Sequence, residues 1–377
     1  MVAVAGDVAA RVLAPLAETT DREARWPVEG MQALGEAGLL GLHVPRRLGG
    51  LGEGLLALAR VAEVLGRACG STAMCFGMHC VATAVIAAKA TPYQEEHYLR
   101  PIATGRHVTS LAVSEPGTGA YFFLPRATFQ PDGGDSFVLN GRKSFVTSGG
   151  HADSYVVSAV APGAEFDPGT FTCLLVDSDR SGLQWAPPWN GFGMRGNSSR
   201  AVQLENVRVP AANLLGHEGD QIWYVFEIVA PYFLVAMAGT YVGIGQAAFD
   251  FAVDHLKRHR YEHTSDRLTE NPVLIDSVGD MWTALERARR LLHHAAQLGD
   301  AGSPEAPKAL FACKIDVADA AVAVTNAAMR LMGGRGYQEN GALARLMRDA
   351  QAAHIMSPTT HLLRGWLGRS LLNLPLL

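Results

Sequence analysis

The stretch from 111 to 150 contains residues suited to hold a flat or phosphorylated ligand. It reads LAVSEPGTGA at its start and LNGRKSFVTSGG at its end. The turns EPGTG and SGG are rich in glycine, and a glycine lets backbone N–H groups come close to a ligand because it has no side chain. Two short β-like runs, Thr109–Val113 and Phe137–Leu139, flank the first turn, and another run ends at Thr147. The pattern therefore predicts a binding strip in a β-structure.

Five segments of the chain resemble motifs of the acyl-CoA dehydrogenases, in that family's order and spacing. They are SEPGTG at 114–119, LNGRKSFVTSGG at 139–150, GFGMRGNSSRAVQLENVRVPAANLLG at 191–216, GGRGY at 333–337 and RLMRDAQAAHI at 345–355. The resemblance covers nearly the whole chain. It implies a mainly α-helical protein with a central β-domain, a barrel or sandwich, between an N-terminal helical domain and a C-terminal four-helix bundle.

The resemblance implies that the β-domain binds FAD, which we favour over FMN. The strip that includes Val113 and Ser114 would supply backbone and hydroxyl contacts; the family usually has threonine where Ser114 stands. Phe145 replaces the more usual tryptophan that stacks on the isoalloxazine ring, and Thr147 matches the residue that hydrogen-bonds near N5. A flavin needs such a wall, such hydrogen bonds and donors for its diphosphate.

The C-terminal part resembles the family's remaining cofactor contacts. Gly333 and Gly334 match a loop that receives the FAD of a neighbouring subunit, and Thr359 and His361 match positions next to the cofactor. Since one subunit completes another's site in this family, the resemblance implies a homo-oligomer, for which we favour a homotetramer over a dimer, or a hetero-oligomer with a paralogue.

The expected contacts to the diphosphate are altered. The family's arginine is followed by a Phe-Gly pair, whereas this chain has only Arg260 in RHRYEHTSDR. Arg330 replaces the usual glutamine before the glycine pair and would supply a positive charge there.

The family's catalytic base is missing from its usual place. Dehydrogenation of an acyl thioester needs a base for the weakly acidic α-proton. The resemblance implies a glutamate in a loop after the RDA motif, but Ser357 occupies that position and Pro358 follows it. Some members carry the glutamate on the first long helix of the bundle, where this chain has Phe233. The nearest carboxylate is Glu227, which is either a displaced base or an ordinary helix-end carboxylate.

The residues after the EPG turn also depart from the family pattern. A serine and an acidic residue usually lie there, close to the thioester, and this chain has Ala120 and Tyr121 followed by Phe122 and Phe123. The aromatic residues form either a lid over a ligand or a packed loop.

Three functions fit these residues. The first is α,β-dehydrogenation of an acyl thioester of CoA or a carrier protein, with an electron-transfer partner. The second is a flavin monooxygenase or oxidase that uses oxygen and no carboxylate base, with His79, His354 or His361 near the flavin. The third is a non-catalytic partner of an active paralogue. His79 is alternatively a core histidine of its buried helix.

The periodicity of apolar residues predicts the elements that position these residues. Residues 1–108 have helical spacing, 109–216 alternate with a period of two, and 217–377 are helical again. We expect the strands of 109–216 to form a compact antiparallel β-domain. Long helices are expected at about 218–258, 273–299 and 304–332, and two shorter ones follow. Helices of this length with short loops favour a four-helix bundle.

Composition narrows the function classes. The chain has 377 residues and a net charge of −4, which gives no basic stripe for nucleic acid. Its five cysteines show no CxxC spacing, so neither a metal site nor a disulfide framework is predicted. We find no leader pattern and no run of 18 apolar residues, and we expect a cytoplasmic protein without a membrane span.

Overall fold

The computed structural model describes residues 1–217, 220 and 223–376. Helices occupy the chain up to Ala103, strands lie between Thr109 and Leu215, and helices resume at Tyr224. The predicted fold, a β-domain between two helical domains, is confirmed. The domain limits 1–108, 109–216 and 217–377 stay predictions.

The helices agree closely with the periodicity. They are α1 (Val2–Val8), α2 (Ala14–Arg22), α3 (Val28–Glu36), α4 (Leu55–Ala68), α5 (Gly70–Ala88), α6 (Pro92–Gln94), α7 (Arg100–Ala103), α8 (Ala230–Arg258), α9 (Pro272–Asp300), α10 (Ala306–Met332), α11 (Ala342–Ile355) and α12 (Thr360–Leu371). Wider π-helical turns occur at Ala9–Leu13, Glu95–Leu99 and Tyr224–Val229, the last leading directly into α8. Thr91 caps α6 through a capping box with Gln94, as its sequence suggests.

Helix α5 is the centre of the N-terminal domain because it has no polar face. Every residue from Gly70 to Ile86 is buried. Two helical stretches, Gly70–Ala88 and Tyr224–Arg258, are long and apolar enough to cross a membrane, but 89% and 78% of their most apolar windows are buried inside the protein. They are interior helices of this fold.

The β-domain consists of two four-stranded sheets that face each other. Its strands are β1 (Thr109–Ala112), β2 (Thr128–Pro131), β3 (Ser136–Val146), β4 (Ser154–Ala159), β5 (Thr172–Asp177), β6 (Leu183–Trp185), β7 (Arg200–Pro210) and β8 (Leu214–Leu215). The sheet orders are β1-β4-β5-β8 and β2-β3-β7-β6. We expected antiparallel pairing throughout, but β1 and β4 pair in parallel. The chain leaves the first sheet after β1, builds two strands of the second sheet, and returns in the same direction.

The C-terminal helices form a bundle that also supports the N-terminal domain. Helices α8, α9, α10 and α11 pack in a ring, and α12 packs on α10. Helix α4 lies along α8 with very close backbones: a Cβ atom added at Gly243 would lie 2.2 Å from the carbonyl oxygen of Glu63. The Arg289 guanidinium of α9 binds the Glu63 carboxylate, with Nε 2.6 Å from Oε1. The two helical domains are therefore one packed unit.

A buried ion pair fixes the loop between β1 and β2. The Lys143 ammonium is fully buried and lies 2.5 Å from Oε1 of Glu115, whose side chain is 3% exposed. The same carboxylate accepts hydrogen bonds from the backbone N–H groups of Arg126 and Ala127, at 2.8 and 3.1 Å. Burial lowers the pKa of Lys143, and the charge of Glu115 opposes that shift. The pair thus anchors both ends of a loop that carries no regular structure.

We predict that Lys143→Met destabilises the protein by about 3–5 kcal/mol, because it leaves the Glu115 carboxylate buried without its cation. The double variant Lys143→Met/Glu115→Gln should recover part of that loss. Urea unfolding measures the change. Arg258→Met is the matched control, since Arg258 and its partner Asp254 are 75% and 60% exposed, and its effect should be small. If Lys143→Met and Arg258→Met lowered the free energy of unfolding equally, the assigned role of the buried pair Glu115–Lys143 would be contradicted.

Candidate active site

The ends of β1 and β3 lie side by side and form the predicted strip. The backbone N–H of Ser144 donates to the carbonyl of Ser114 at 2.8 Å, and the Ser110 hydroxyl donates to the carbonyl of Thr147 at 2.7 Å. The Val113 carbonyl accepts from the Ser158 hydroxyl at 3.5 Å. The strip is therefore fixed by its backbone, and the side chain of Ser114, which is half-buried, is left to face a ligand.

Phe145 projects from this strip. It lies where the β3–β7 register shifts, has a φ angle of +54°, and is 68% exposed. The Trp189 ring meets it edge-on at 6.3 Å between centroids. The buried Trp189 Nε1–H has no hydrogen-bond partner among the described residues. The open aromatic face of Phe145 fits the flat ring of a flavin.

The N-terminal domain supports the strip from beneath through Trp26, which the sequence did not indicate. Its Nε1–H donates to the Ser148 hydroxyl at 3.1 Å, and its ring stacks on His151 with centroids 5.0 Å apart. Ser148 has a φ angle of +58°, so this contact holds an unusual backbone conformation next to Thr147.

Helix α11, which carries the RDA motif, ties the bundle to the β-domain. The Asp349 carboxylate accepts the backbone N–H of Met194 at 2.6 Å. Arg348 binds the Asp21 carboxylate of the N-terminal domain and the carbonyl of Phe192. Asp349 is buried, and burial raises its pKa to about 6. The motif thus joins all three domains at one point.

Ser357 lies in a turn that a buried lysine holds. Lys314 of α10 is 1% exposed. Its Nζ donates to the carbonyl of Pro358 at 3.0 Å and reaches that of Met356 at 3.5 Å. Burial lowers the pKa of Lys314 to about 7. The turn is thereby clamped on both sides of Ser357, at the position where the resemblance implies a glutamate.

Two of the histidine candidates have structural partners. Nδ1 of His79 accepts the N–H of Thr109 at 3.1 Å, so its Nε2 carries the proton and donates to the carbonyl of Leu40 at 2.9 Å. Burial lowers the pKa of His79 to about 4, which favours the interpretation of His79 as a neutral core histidine. His354 shares a hydrogen bond of 3.2 Å with the Thr360 hydroxyl, which leaves one ring nitrogen near Asp319.

A cavity of about 620 Å³ opens between the β-domain and α12. Its walls are the loop after the EPG turn, one face of α12 and the chain beyond it. Its lining residues are Ala120, Tyr121, Phe123, Leu124, Thr359, His361, Leu362, Gly365, Trp366, Arg369 and Leu376. The loop continues directly from the strip at Ser114, and α12 begins just after Ser357. The cavity therefore adjoins both predicted halves of the site.

The carboxylate candidate is not part of this cavity. Glu227 is exposed on the π-helical turn before α8 and does not line the cavity. Its neighbour Phe226 is the residue that turns inward, with its ring 5.8 Å from that of Trp366. Phe233, at the alternative glutamate position, is half-buried and packs against the apolar core. The geometry thus favours the ordinary, surface interpretation of Glu227.

The predicted diphosphate contacts lie at the far end of the bundle. Arg260 and Arg330 are both exposed. Atoms added as Cβ at Gly333 or Gly334 would meet nothing within 4 Å, so this loop is open to a large ligand. Arg335, which the sequence analysis did not single out, contacts His259 there. Guanidinium groups beside open glycines suit an anionic ligand.

Comparison with known proteins agrees with this geometry. Three family models match the chain: the acyl-CoA dehydrogenase N-terminal domain at 1–106, the middle domain at 110–207 and the C-terminal domain at 234–372. The cyclohex-1-ene-1-carbonyl-CoA dehydrogenase of Geobacter metallireducens is 33% identical over 97% of this chain and 95% of its own. The chain belongs to the acyl-CoA dehydrogenase family.

Other family members resemble the chain over its whole length. The mitochondrial short-chain specific acyl-CoA dehydrogenase of Bos taurus is 30% identical over 95% of this chain and 86% of its own. The structure of butyryl-CoA dehydrogenase from Megasphaera elsdenii superposes with a TM-score of 0.92 at 25% identity, covering 98% of this chain and 97% of that one. Acyl-CoA dehydrogenases are flavin-dependent oxidoreductases that act on CH–CH donors. The relatives thus support the dehydrogenase interpretation and not the monooxygenase or non-catalytic ones.

The raised pKa of Asp349 predicts how the unfolding free energy depends on pH. Its folded-state pKa of about 6 lies above its ordinary 3.8, so the folded protein binds that proton more tightly than the unfolded chain does. The unfolding free energy of the wild type, relative to Asp349→Asn, should therefore rise as pH falls from about 7 to about 4. Denaturant titrations at several pH values measure this difference. The exposed-site control Asp254→Asn should show no such rise, and a flat Asp349 difference would contradict the raised pKa.

Proposed function

We propose that this acyl-CoA dehydrogenase family member uses FAD to dehydrogenate an acyl thioester between its α and β carbons. One observation carries the proposal: a largely apolar cavity is lined by the loop that continues from Ser114 and by α12, which begins three residues after Ser357. Relatives of nearly full length are named as dehydrogenases of acyl-CoA substrates. Thr359 and His361, which match positions next to the cofactor, give the cavity a polar side.

The residues that would hold FAD are those of the strip and of the glycine loop. Phe145 would lie against the isoalloxazine ring, and the Ser114 and Thr147 segments would hydrogen-bond its polar edge. Arg260 and Arg330 would face the diphosphate across a subunit boundary. When bound, the flavin supplies the hydride acceptor.

Proton removal requires a residue other than the family glutamate. Ser357 is a neutral hydroxyl whose flanking carbonyls are held by Lys314, and Glu227 is exposed outside the cavity. His361, four residues after Ser357 and the second residue of α12, lines the cavity with its side chain exposed. Imidazole is the general base most often used in proteins. We therefore propose that His361 removes the α-proton of the substrate. Thr359, two residues earlier, caps α12 through its hydroxyl.

We also propose a homo-oligomer, a tetramer by family resemblance, in the cytoplasm. Helix α9 presents exposed apolar side chains that a partner subunit would cover: Val273 is 72%, Ile275 54% and Trp282 55% exposed. Exposed apolar groups at this density on one helix commonly mark an interface. The five cysteines are all free, as expected in a reducing compartment.

His361→Asn should slow bleaching of the flavin by an acyl-CoA at least about a hundredfold, because positioned acid–base groups contribute roughly 10²–10⁴-fold. Anaerobic stopped-flow absorbance measures the rate. Calorimetric binding of S-alkyl-CoA thioethers, which cannot react, should change little.

His97→Asn provides the control, since His97 lies on the surface and bonds only its own helix. Unchanged bleaching in His361→Asn would remove His361 from proton transfer. A wild-type flavoprotein that no acyl thioester bleaches would instead refute the proposed reaction.

Phe145→Ala should weaken FAD binding by up to about tenfold, since an aromatic contact contributes about 0.5–1.5 kcal/mol beyond its buried area. Fluorescence titration of the apoprotein with FAD measures the dissociation constant. Phe166→Ala is the matched control: this residue of the same domain is 50% exposed but lies on another loop. Equal affinities of both variants would show that Phe145 does not contact the ring.

A further inference from the structure

We infer that Lys314 is a positioning residue: its amine holds the turn 356–359 in the conformation that places Thr359 and His361 on the wall of the cavity. This inference rests on the proposed function, because it takes those two residues as contacts of the cofactor or the substrate. It concerns how the site is built and holds whichever residue removes the proton.

The hydrogen bonds of Lys314 show what its amine holds. The side chain is 1% exposed, and among the residues that the structure describes its Nζ has two acceptors, the carbonyl oxygens of Pro358 at 3.0 Å and Met356 at 3.5 Å. A buried amine is ordinarily paired with an opposite charge. A lysine that binds two backbone carbonyls instead serves the segment to which those carbonyls belong.

The backbone of this turn does not satisfy its own carbonyl groups. Helix α11 ends at Ile355 and α12 begins at Thr360, so Met356 and Pro358 lie between the two helices. Pro358 is buried. No backbone N–H group in the described part of the chain donates to either carbonyl. A buried carbonyl without a donor is unfavourable, so the turn should rearrange when the amine is removed.

The turn determines where α12 begins. The hydroxyl of Thr359 caps the helix by accepting the N–H of Leu362 at 3.3 Å. His361 is the second residue of the helix, and both Thr359 and His361 line the cavity. If the helix started one residue earlier or later, each side chain would move by about 1.5 Å along the axis and turn by about 100° around it. Holding the turn therefore holds the polar side of the cavity.

Other polar contacts hold only the ends of the turn. The Tyr241 hydroxyl of α8 contacts Sδ of Met356 at 3.1 Å, and a thioether is a weak acceptor. His354 of α11 shares a hydrogen bond of 3.2 Å with the Thr360 hydroxyl. The carbonyl of Pro358, directly before the cap, is held by Lys314. We therefore expect the loss of this amine to be felt first at Thr359.

Lys314→Met tests the amine, because methionine keeps most of the apolar stem and cannot donate. The dissociation constant of FAD, measured by fluorescence titration of the apoprotein, should rise at least about fivefold, since two hydrogen bonds that position a contact residue are lost. Bleaching by an acyl-CoA should slow by about ten- to a hundredfold, because a misplaced contact residue raises the barrier.

Chemical rescue separates positioning from a general loss of packing. Lys314→Ala lacks three carbons and the nitrogen, which is the size of n-propylamine. Added propylamine should restore FAD affinity to Lys314→Ala with a saturable concentration dependence. It should not restore Lys314→Met, whose side chain already occupies the space. 1-Propanol, which fills the same space but offers one donor for two carbonyls, should restore less.

Val324→Ala is the control for stability. Val324 is 1% exposed on the same helix, ten residues after Lys314 and so about 15 Å along the axis. Its FAD affinity should not respond to propylamine. If both lysine variants bind FAD as the wild type does, or if propylamine restores nothing, Lys314 is not a positioning residue, and the proposed reaction is unaffected. If the wild type binds FAD but no acyl thioester bleaches it, the proposed reaction fails, while the FAD titrations still decide the role of Lys314.

Discussion

The buried contact between Glu115 and Lys143 is the constraint on which the site depends. The loop from 115 to 127 has no helix or strand of its own, yet it continues directly from the predicted flavin strip and supplies one wall of the cavity. A carboxylate that binds a buried ammonium and two backbone N–H groups gives such a loop one conformation. An ionic contact of this kind is costly to bury, so it is better understood as fixing geometry than as adding stability.

Around this anchor, each helical domain contributes one support to the strip. Trp26 comes from the N-terminal domain and Asp349 from the bundle, and each binds the β-domain through a hydrogen bond. Because these contacts are directional, they fix the orientation of the domains, whereas α4 and α8 pack closely along each other. The face that would receive the cofactor can therefore be open to solvent while its backbone keeps one conformation.

Much of this was predictable from the sequence, for reasons that differ between elements. Helix α4, Leu55–Ala68, follows from its local periodicity, whereas the fully buried α5 follows from its length and its nearly unbroken run of apolar and small residues. The parallel pairing of β1 with β4 was not predictable in this way, since parallel register depends on where the chain goes in between. The hydrogen bond between Trp26 and Ser148 joins residues 122 positions apart, so no local sequence pattern predicts it. Lys314 differs from these contacts, because a lysine within an apolar helical face is visible in the sequence and indicates a buried charge.

Lys314 determines the electrostatic environment of Ser357, which stands where the family resemblance implies a glutamate. Lys314 holds the turn through two carbonyl oxygens and, among the described residues, forms no ion pair with a carboxylate. Its pKa falls to about 7 because burial acts without a compensating negative charge. A carboxylate in this turn would oppose the effect of burial and raise that pKa. With serine at 357, the turn adds no negative charge, and the Lys314 amine that holds it is close to neutral at physiological pH.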